Sequence, residues 1–179
     1  LTRPSSVVVA AVRDPSSASS KALANLPKDA SSKLIVVKID SASTTDAAEA
    51  VATLQTEHGI TSLDVVIANA GISKLYPPVH EALATDMLEH YTVNVIGPVY
   101  LFRAVRPLLL AAAAEKENGQ KSSTPMFIAM GSMAGSIGGA ELAPVPNAVY
   151  GPSKAALNLI AKKIHMENPE IIAFPIHPG

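Results

Sequence analysis

Five short apolar runs, set apart by stretches of helical periodicity, restrict this sequence to few folds. They are Val7 to Val12, Leu34 to Ile39, Leu63 to Ala68, Met126 to Met130 and Ile171 to Ile176. Continuous apolar runs of this length, without polar alternation, read as strands buried on both faces. Between them the spacing predicts helices over Ser16 to Leu26, Thr44 to His58, Leu83 to Tyr91, Val95 to Ala114 and Val149 to Asn168. In the second of these, Ala47, Val51 and Leu54 fall on one stripe, and Gly59 follows as a C-terminal stop. Gly97-Pro98 predicts a break or kink, and Glu115 to Pro125 is polar enough for a surface loop. Strands alternating with helices imply an α/β fold with a parallel sheet covered on both faces. At 179 residues the chain suits one domain, 1–179, with a sizeable core.

Open parallel sheets bind ligands at the carboxyl ends of their strands. Arg13, Asp40, Asn69 to Gly71, Ser132 and the segment His177 to Gly179 all follow a predicted strand, and so share one rim. Tyr150 and Lys154 stand four apart at the start of the last helix, where residues i and i+4 lie on one face. A neighbouring ammonium favours phenolate over phenol and so brings a tyrosine down from its ordinary value of about 10. With the Ser132 hydroxyl opposite, such a trio can hold a carbonyl oxygen and pass it a proton, the acid–base chemistry of ketone reduction. Taken alone, the Tyr-x-x-x-Lys spacing also fits a solvated pair on a helix surface.

Composition excludes other classes. Net charge is −1, with no long run of one sign, which argues against nucleic acid or an anionic membrane as partner. No apolar run is expected to span a bilayer, and Leu1-Thr2-Arg3-Pro4 lacks the apolar core of a signal peptide. Cysteine is absent, so disulfides and thiolate metal sites are excluded. The five histidines are scattered without zinc-like spacing, so no metal is expected. A cytoplasmic setting follows as the expectation.

Asn69-Ala70-Gly71, Asn94, Ser132, Tyr150-x-x-x-Lys154 and Pro178-Gly179, in that order, resemble the short-chain dehydrogenase/reductase family, and the resemblance covers essentially the whole chain. Within the family, Ala-Ala-Val-Arg-Asp-Pro, Gly-Ser-Met-Ala-Gly-Ser-Ile and Tyr-Gly-Pro-Ser-Lys-Ala-Ala-Leu-Asn look like fungal ketoreductases of the norsolorinic acid type, with sniffer-type carbonyl reductases nearby. The resemblance implies a Rossmann-like doubly wound parallel sheet and an NADP(H)-dependent reductase of a small-molecule ketone. It makes Tyr150 the proton donor, with Lys154 lowering its pKa and holding the nicotinamide ribose. Ser132 would bond the carbonyl, and Asn94 would anchor a water in the proton relay. Asn69, Ala70 and Gly71 would let the cofactor approach closely, Asp40 would contact the adenine, and Pro178 and Gly179 would border the nicotinamide.

Several of these residues have plainer readings. Asn69 also serves as a turn former, Asn94 as a cap at a kink, and Asp40 as a strand terminator. Ser136 competes with Ser132, which directly follows the strand and is preferred; His177 has no clear task. Arg13 suits the 2′-phosphate of NADP, because a guanidinium is a fixed fork of donors matched to phosphate oxygens. Pairing with Asp14 is its alternative.

The family's opening strand and glycine-rich turn are not found in this sequence. That strand lies between those formed here by Val7 to Val12 and Leu63 to Ala68, and the family also carries a last strand beyond Gly179. The expectation is therefore an incomplete sheet and a fragment of a longer enzyme, unstable as it stands, since unpaired strand edges expose backbone groups. The mostly apolar Ser132–Tyr150 loop and Ser73 to Pro78 suit a bulky hydrophobic or aromatic ketone, and the resemblance implies a polyketide-type one. Other readings are a nucleotide-sugar epimerase or dehydratase, a non-catalytic NADP-binding regulator, and an inactive truncated remnant. Homo-oligomers would form through the Val95–Ala114 and Val149–Asn168 helices.

Overall fold

The computed structural model describes residues 2–142 and 144–178. Its order is β1 (Val7–Val12), α1 (Ala18–Ala22), β2 (Lys33–Lys38), α2 (Asp46–Thr56), β3 (Val65–Ala68), α3 (Ala84–Tyr91), α4 (Gly97–Glu117), β4 (Met126–Met130), α5 (Tyr150–Glu167) and β5 (Ile172–Ile176). All strand pairs are parallel, as the alternation with helices requires. They form two sheets, with β1 paired to β2 and β4 lying between β3 and β5, the incomplete sheet expected from the resemblance. Among the described residues no ladder joins β1 to β3. Val8, Val65 and Ile67 are correspondingly exposed, so coverage on both faces does not hold there.

Strand β4 shows how the three-stranded sheet is held. Its residues alternate, and Phe127 and Ala129 on one face are fully buried. That face receives α4 and α5. From α4 comes a stripe of Val105, Leu108, Leu109, Ala112 and Ala113, the i, i+3, i+4, i+7, i+8 spacing of an amphipathic helix. Val105 and Leu109 meet Phe127, Ile164 and Ile171 in the main core, while Ala129, Leu157 and Ala161 form a smaller cluster under α5. A separate cluster, Ile35, Val37, Ala50 and Leu54, glues α2 to β2.

The α2 N-terminus is fixed by a local network. Asp46 is buried and accepts from the Ser43 hydroxyl at 2.6 Å and from the Asp40 N–H at 2.9 Å, and it pairs with Lys38 at 3.0 Å. These donors hold its carboxyl down at about 2, the Ser43 hydroxyl contributing most.

The break expected at Gly97-Pro98 lies elsewhere. Residues Thr92–Ile96 form a π turn, and Gly97-Pro98 begin α4, where a proline needs no intrahelical donor. Gly97 is required by packing, since a Cβ there would stand 2.6 Å from the Ser41 carbonyl oxygen. Although no single apolar run is that long, the helical stretch Ala84–Glu117 is long and apolar enough to cross a membrane by length and composition. Its apolar stripe is the one that covers β4.

Candidate active site

The carboxyl ends of β3, β4 and β5 open into a cleft of about 280 Å³, lined by Asn69, Gly71, Ile72, Ser73, Met130, Gly131, Ser132, Tyr150, Lys154, His177 and Pro178. Asn69, Gly71, Ser132, Tyr150, Lys154 and Pro178 of the expected residues therefore converge. Arg13, Asp40 and Ala70 do not line it, Asn94 lies beneath it, and Gly179 falls outside the described residues. Ile72, Met130 and Gly131 had no signal of their own, being apolar or small residues beside the motifs. His177, without a task in the sequence, borders the cleft.

Two close approaches bring Ser132 to the helix. After β4 the chain turns through Met133–Gly135, and the Ser132 Oγ caps that turn by accepting from the Ala134 N–H at 3.2 Å. A Cβ on Gly135 would sit 2.6 Å from the Lys154 carbonyl carbon, and one on Gly151 2.9 Å from the Ala134 carbonyl oxygen. Only glycine lets these backbones touch. The Gly151 N–H, one of the free donors at the start of α5, is met by the Asn147 side-chain oxygen at 2.7 Å.

Lys154 is 4% exposed; its Nζ donates to the Met130 carbonyl oxygen at 2.7 Å and lies 5.7 Å from the Tyr150 ring centre. Burial pushes its ammonium below the ordinary lysine value. Tyr76 meets the Tyr150 ring edge-on, with centroids 6.2 Å apart.

Asn94 supports the wall of the cleft. Its Oδ1 accepts from the Ile72 N–H at 2.8 Å, and its Nδ2 donates to the Ile72 carbonyl at 2.9 Å and the Ser153 Oγ at 3.0 Å. Ser153 in turn donates to the Tyr150 carbonyl at 2.6 Å. A Cβ on Gly71 would lie 3.1 Å from the Asn94 Oδ1 and 3.4 Å from the Lys154 Nζ, so this glycine keeps the floor open. On the outer rim, Asp40 accepts from the Ala42 N–H at 2.9 Å and so closes its own turn. Asp14 is engaged by Ser16, and among the described residues Arg13 makes no ion pair, which leaves its exposed guanidinium available.

Parallel strands alternating with helices, with a cleft at their carboxyl ends, make a Rossmann-like fold, and residues 4–179 match the short chain dehydrogenase family model. The chain belongs to that family of oxidoreductases. It is 41% identical to norsolorinic acid ketoreductase nor1 of Dothistroma septosporum and 38% identical to norsolorinic acid ketoreductase stcE of Emericella nidulans, each over all of this chain and 64% of the relative. The chain thus spans less than two thirds of the length of these relatives. Among solved structures it is similar to the NADPH-bound carbonyl reductase from chicken fatty liver, with a TM-score of 0.85 at 31% identity, covering all of this chain and 70% of that one. Carbonyl reductase Sniffer of D. melanogaster follows with a TM-score of 0.83 at 25% identity, over all of this chain and 71% of that one.

Proposed function

We propose that the protein is an NADPH-dependent carbonyl reductase acting on a bulky hydrophobic or aromatic ketone of polyketide type. The observation that carries this reading is the convergence of Ser132, Tyr150 and Lys154 on one cleft, with the buried Lys154 Nζ 5.7 Å from the Tyr150 ring centre.

The Ser132 Oγ already accepts a hydrogen bond from Ala134, so its own hydrogen is available to a carbonyl oxygen. Tyr150 delivers the proton to that oxygen as general acid. The Lys154 ammonium stabilises the phenolate charge as the proton departs, and this effect is strong because the group is desolvated. One of its donors is taken by Met130; the others remain for a ribose hydroxyl. The nicotinamide, when bound, supplies hydride to the carbonyl carbon. Gly71, which lines the cleft without a side chain, suits the close approach of such a ring. Asn69, Ala70 and Pro178, and Gly179 beyond it, are assigned to the cofactor's border and Asp40 to its adenine end. Arg13, unpaired by Asp14, suits the 2′-phosphate and therefore NADP over NAD. Both Nδ2 hydrogens of Asn94 are taken, its Oδ1 accepts from Ile72 and the side chain is buried, so a relay water would be held by its main chain in the π turn.

The rim supports a bulky hydrophobic substrate, and the polyketide type rests on the resemblance. Tyr76, Ile137, Leu142 and Val145 are all exposed there or in the loop between Ser132 and Tyr150, an apolar surface suited to a large ring system. Homo-oligomers would use the outer faces of α4 and α5, where Val99, Leu159 and Met166 are exposed.

The test is NADPH and NADH oxidation against a panel of aromatic and aliphatic ketones, with cofactor binding measured in parallel. It uses this chain and the chain extended to the length of its relatives. NADPH turnover with large aromatic ketones is expected. Cofactor binding with no turnover on any ketone would replace the reductase with a regulator.

A further inference from the structure

The wall of the cleft formed by Ile72 to Tyr76 has little support of its own. Ser73, Lys74, Leu75 and Tyr76 are all exposed, and the segment contains no helix or strand. Its backbone is nevertheless held at three places. Asn94 takes both the N–H and the carbonyl of Ile72, and the Pro77 carbonyl accepts from the Ala148 N–H at 3.0 Å. Between these lies His90, which is 0% exposed and had no signal in the sequence beyond being a lone histidine.

Its two ring nitrogens have unlike partners. The Lys74 N–H, 3.1 Å from Nε2, can only donate, and the Asp86 carbonyl, 2.8 Å from Nδ1, can only accept. The ring is therefore the neutral Nδ1–H tautomer: Nδ1–H donates within α3 and Nε2 accepts from the loop. His90 and Asn94 are four apart along the helical stretch, and their two targets, Ile72 and Lys74, are two apart along the loop. The Lys74 side chain reinforces the same junction by pairing with Glu89.

Resting on the reductase reading, we infer that His90 is a positioning residue: through the Lys74 N–H it fixes the Ile72–Tyr76 wall, and with it Tyr76 against Tyr150. It touches neither substrate nor cofactor. An apolar residue in its place leaves the Lys74 N–H without an acceptor, so the segment between the Asn94 and Ala148 anchors loosens. Glutamine carries an acceptor oxygen at comparable reach and restores the contact.

The experiment compares wild type, His90→Leu and His90→Gln in the chain extended to the relatives' length. It measures hydrogen exchange at the Lys74 amide, NADPH affinity, and kcat and KM for a ketone well below the melting temperature. In His90→Leu, Lys74 exchange is expected to rise and kcat/KM to fall by about tenfold, the size of one lost hydrogen bond. NADPH affinity should stay within about twofold, and His90→Gln should recover both losses. Rapid exchange at Lys74 in the wild type overturns the inference even if His90→Leu fails to fold. So does faster exchange in His90→Leu with unchanged kcat/KM, or a His90→Gln no better than His90→Leu. A wild type that reduces no ketone defeats the reductase reading alone. Exchange then decides: equal protection in wild type and His90→Leu overturns the positioning role, and protection restored by His90→Gln supports it.

Discussion

The Lys154 Nζ lies 2.7 Å from the carbonyl oxygen of Met130, the last residue of β4, so the strand end and the helix that carries Tyr150 are joined through one buried ammonium. This bond joins the two halves of the cleft together with the backbone contacts at Gly135 and Gly151. It also places a charge where burial disfavours it.

Lys154→Met should therefore separate activity from stability. Reduction is expected to fall by at least about a thousandfold, since the charge that stabilises phenolate is gone. Thermal stability at pH 7 is expected to hold or rise, because the buried ammonium is a cost to the folded state. The lysine is lowered in the fold, so between its folded and unfolded values the unfolded chain binds more protons and stability rises with pH. The stability gap between variant and wild type should therefore narrow as pH climbs toward 10. A melting series from pH 7 to 10 checks this.

Gly71→Ala tests the open floor. Its Cβ would stand 3.1 Å from the Asn94 Oδ1 and 3.4 Å from the Lys154 Nζ, both polar atoms fixed by other bonds. A stability loss of about 1 kcal/mol is expected with a larger loss of NADPH affinity, read by melting and by titration.

Gly135→Ala tests the contact between the Ser132 turn and α5. Here the Cβ would meet backbone atoms at 2.6 Å and 2.7 Å, which cannot move aside as a side-chain tip can. A destabilisation of about 3 kcal/mol is expected from denaturant unfolding. A neutral result would mean that the turn and helix are not in contact.

The strands were legible because buried parallel strands leave continuous apolar runs, and the convergence of Ser132, Tyr150 and Lys154 on one cleft because each follows a strand end or opens a helix. Boundaries were less so. The Leu63 N–H bonds to the Leu108 carbonyl of α4 rather than to a strand, which shortens β3 to Val65–Ala68. The π turn ahead of Gly97-Pro98 has no residue signature. His90 was invisible because its partner is a backbone N–H sixteen positions away. The gap between β1 and β3 was legible from the family resemblance, which places a further strand there, and not from periodicity, which carries no pairing information.

Asp46→Asn addresses the network at the start of α2. The carboxyl sits at about 2, below its ordinary 3.8, so its contribution is full above pH 4 and lost as pH falls toward 2. About 1–2 kcal/mol is expected at neutral pH, discounted because Lys38 is exposed. The wild type should lose this increment between pH 4 and 2 in urea unfolding, and the asparagine variant should not.

The most direct measurement is single-turnover reduction of an aromatic ketone by NADPH in wild type and Tyr150→Phe, in the chain extended to its relatives' length. The phenylalanine variant keeps the ring that meets Tyr76 and loses only the hydroxyl. NADPH affinity within about threefold of wild type, with reduction slowed by at least about a thousandfold, is the result the mechanism predicts. Reduction by Tyr150→Phe at the wild-type rate would contradict it, and the proton would then have to come from another group.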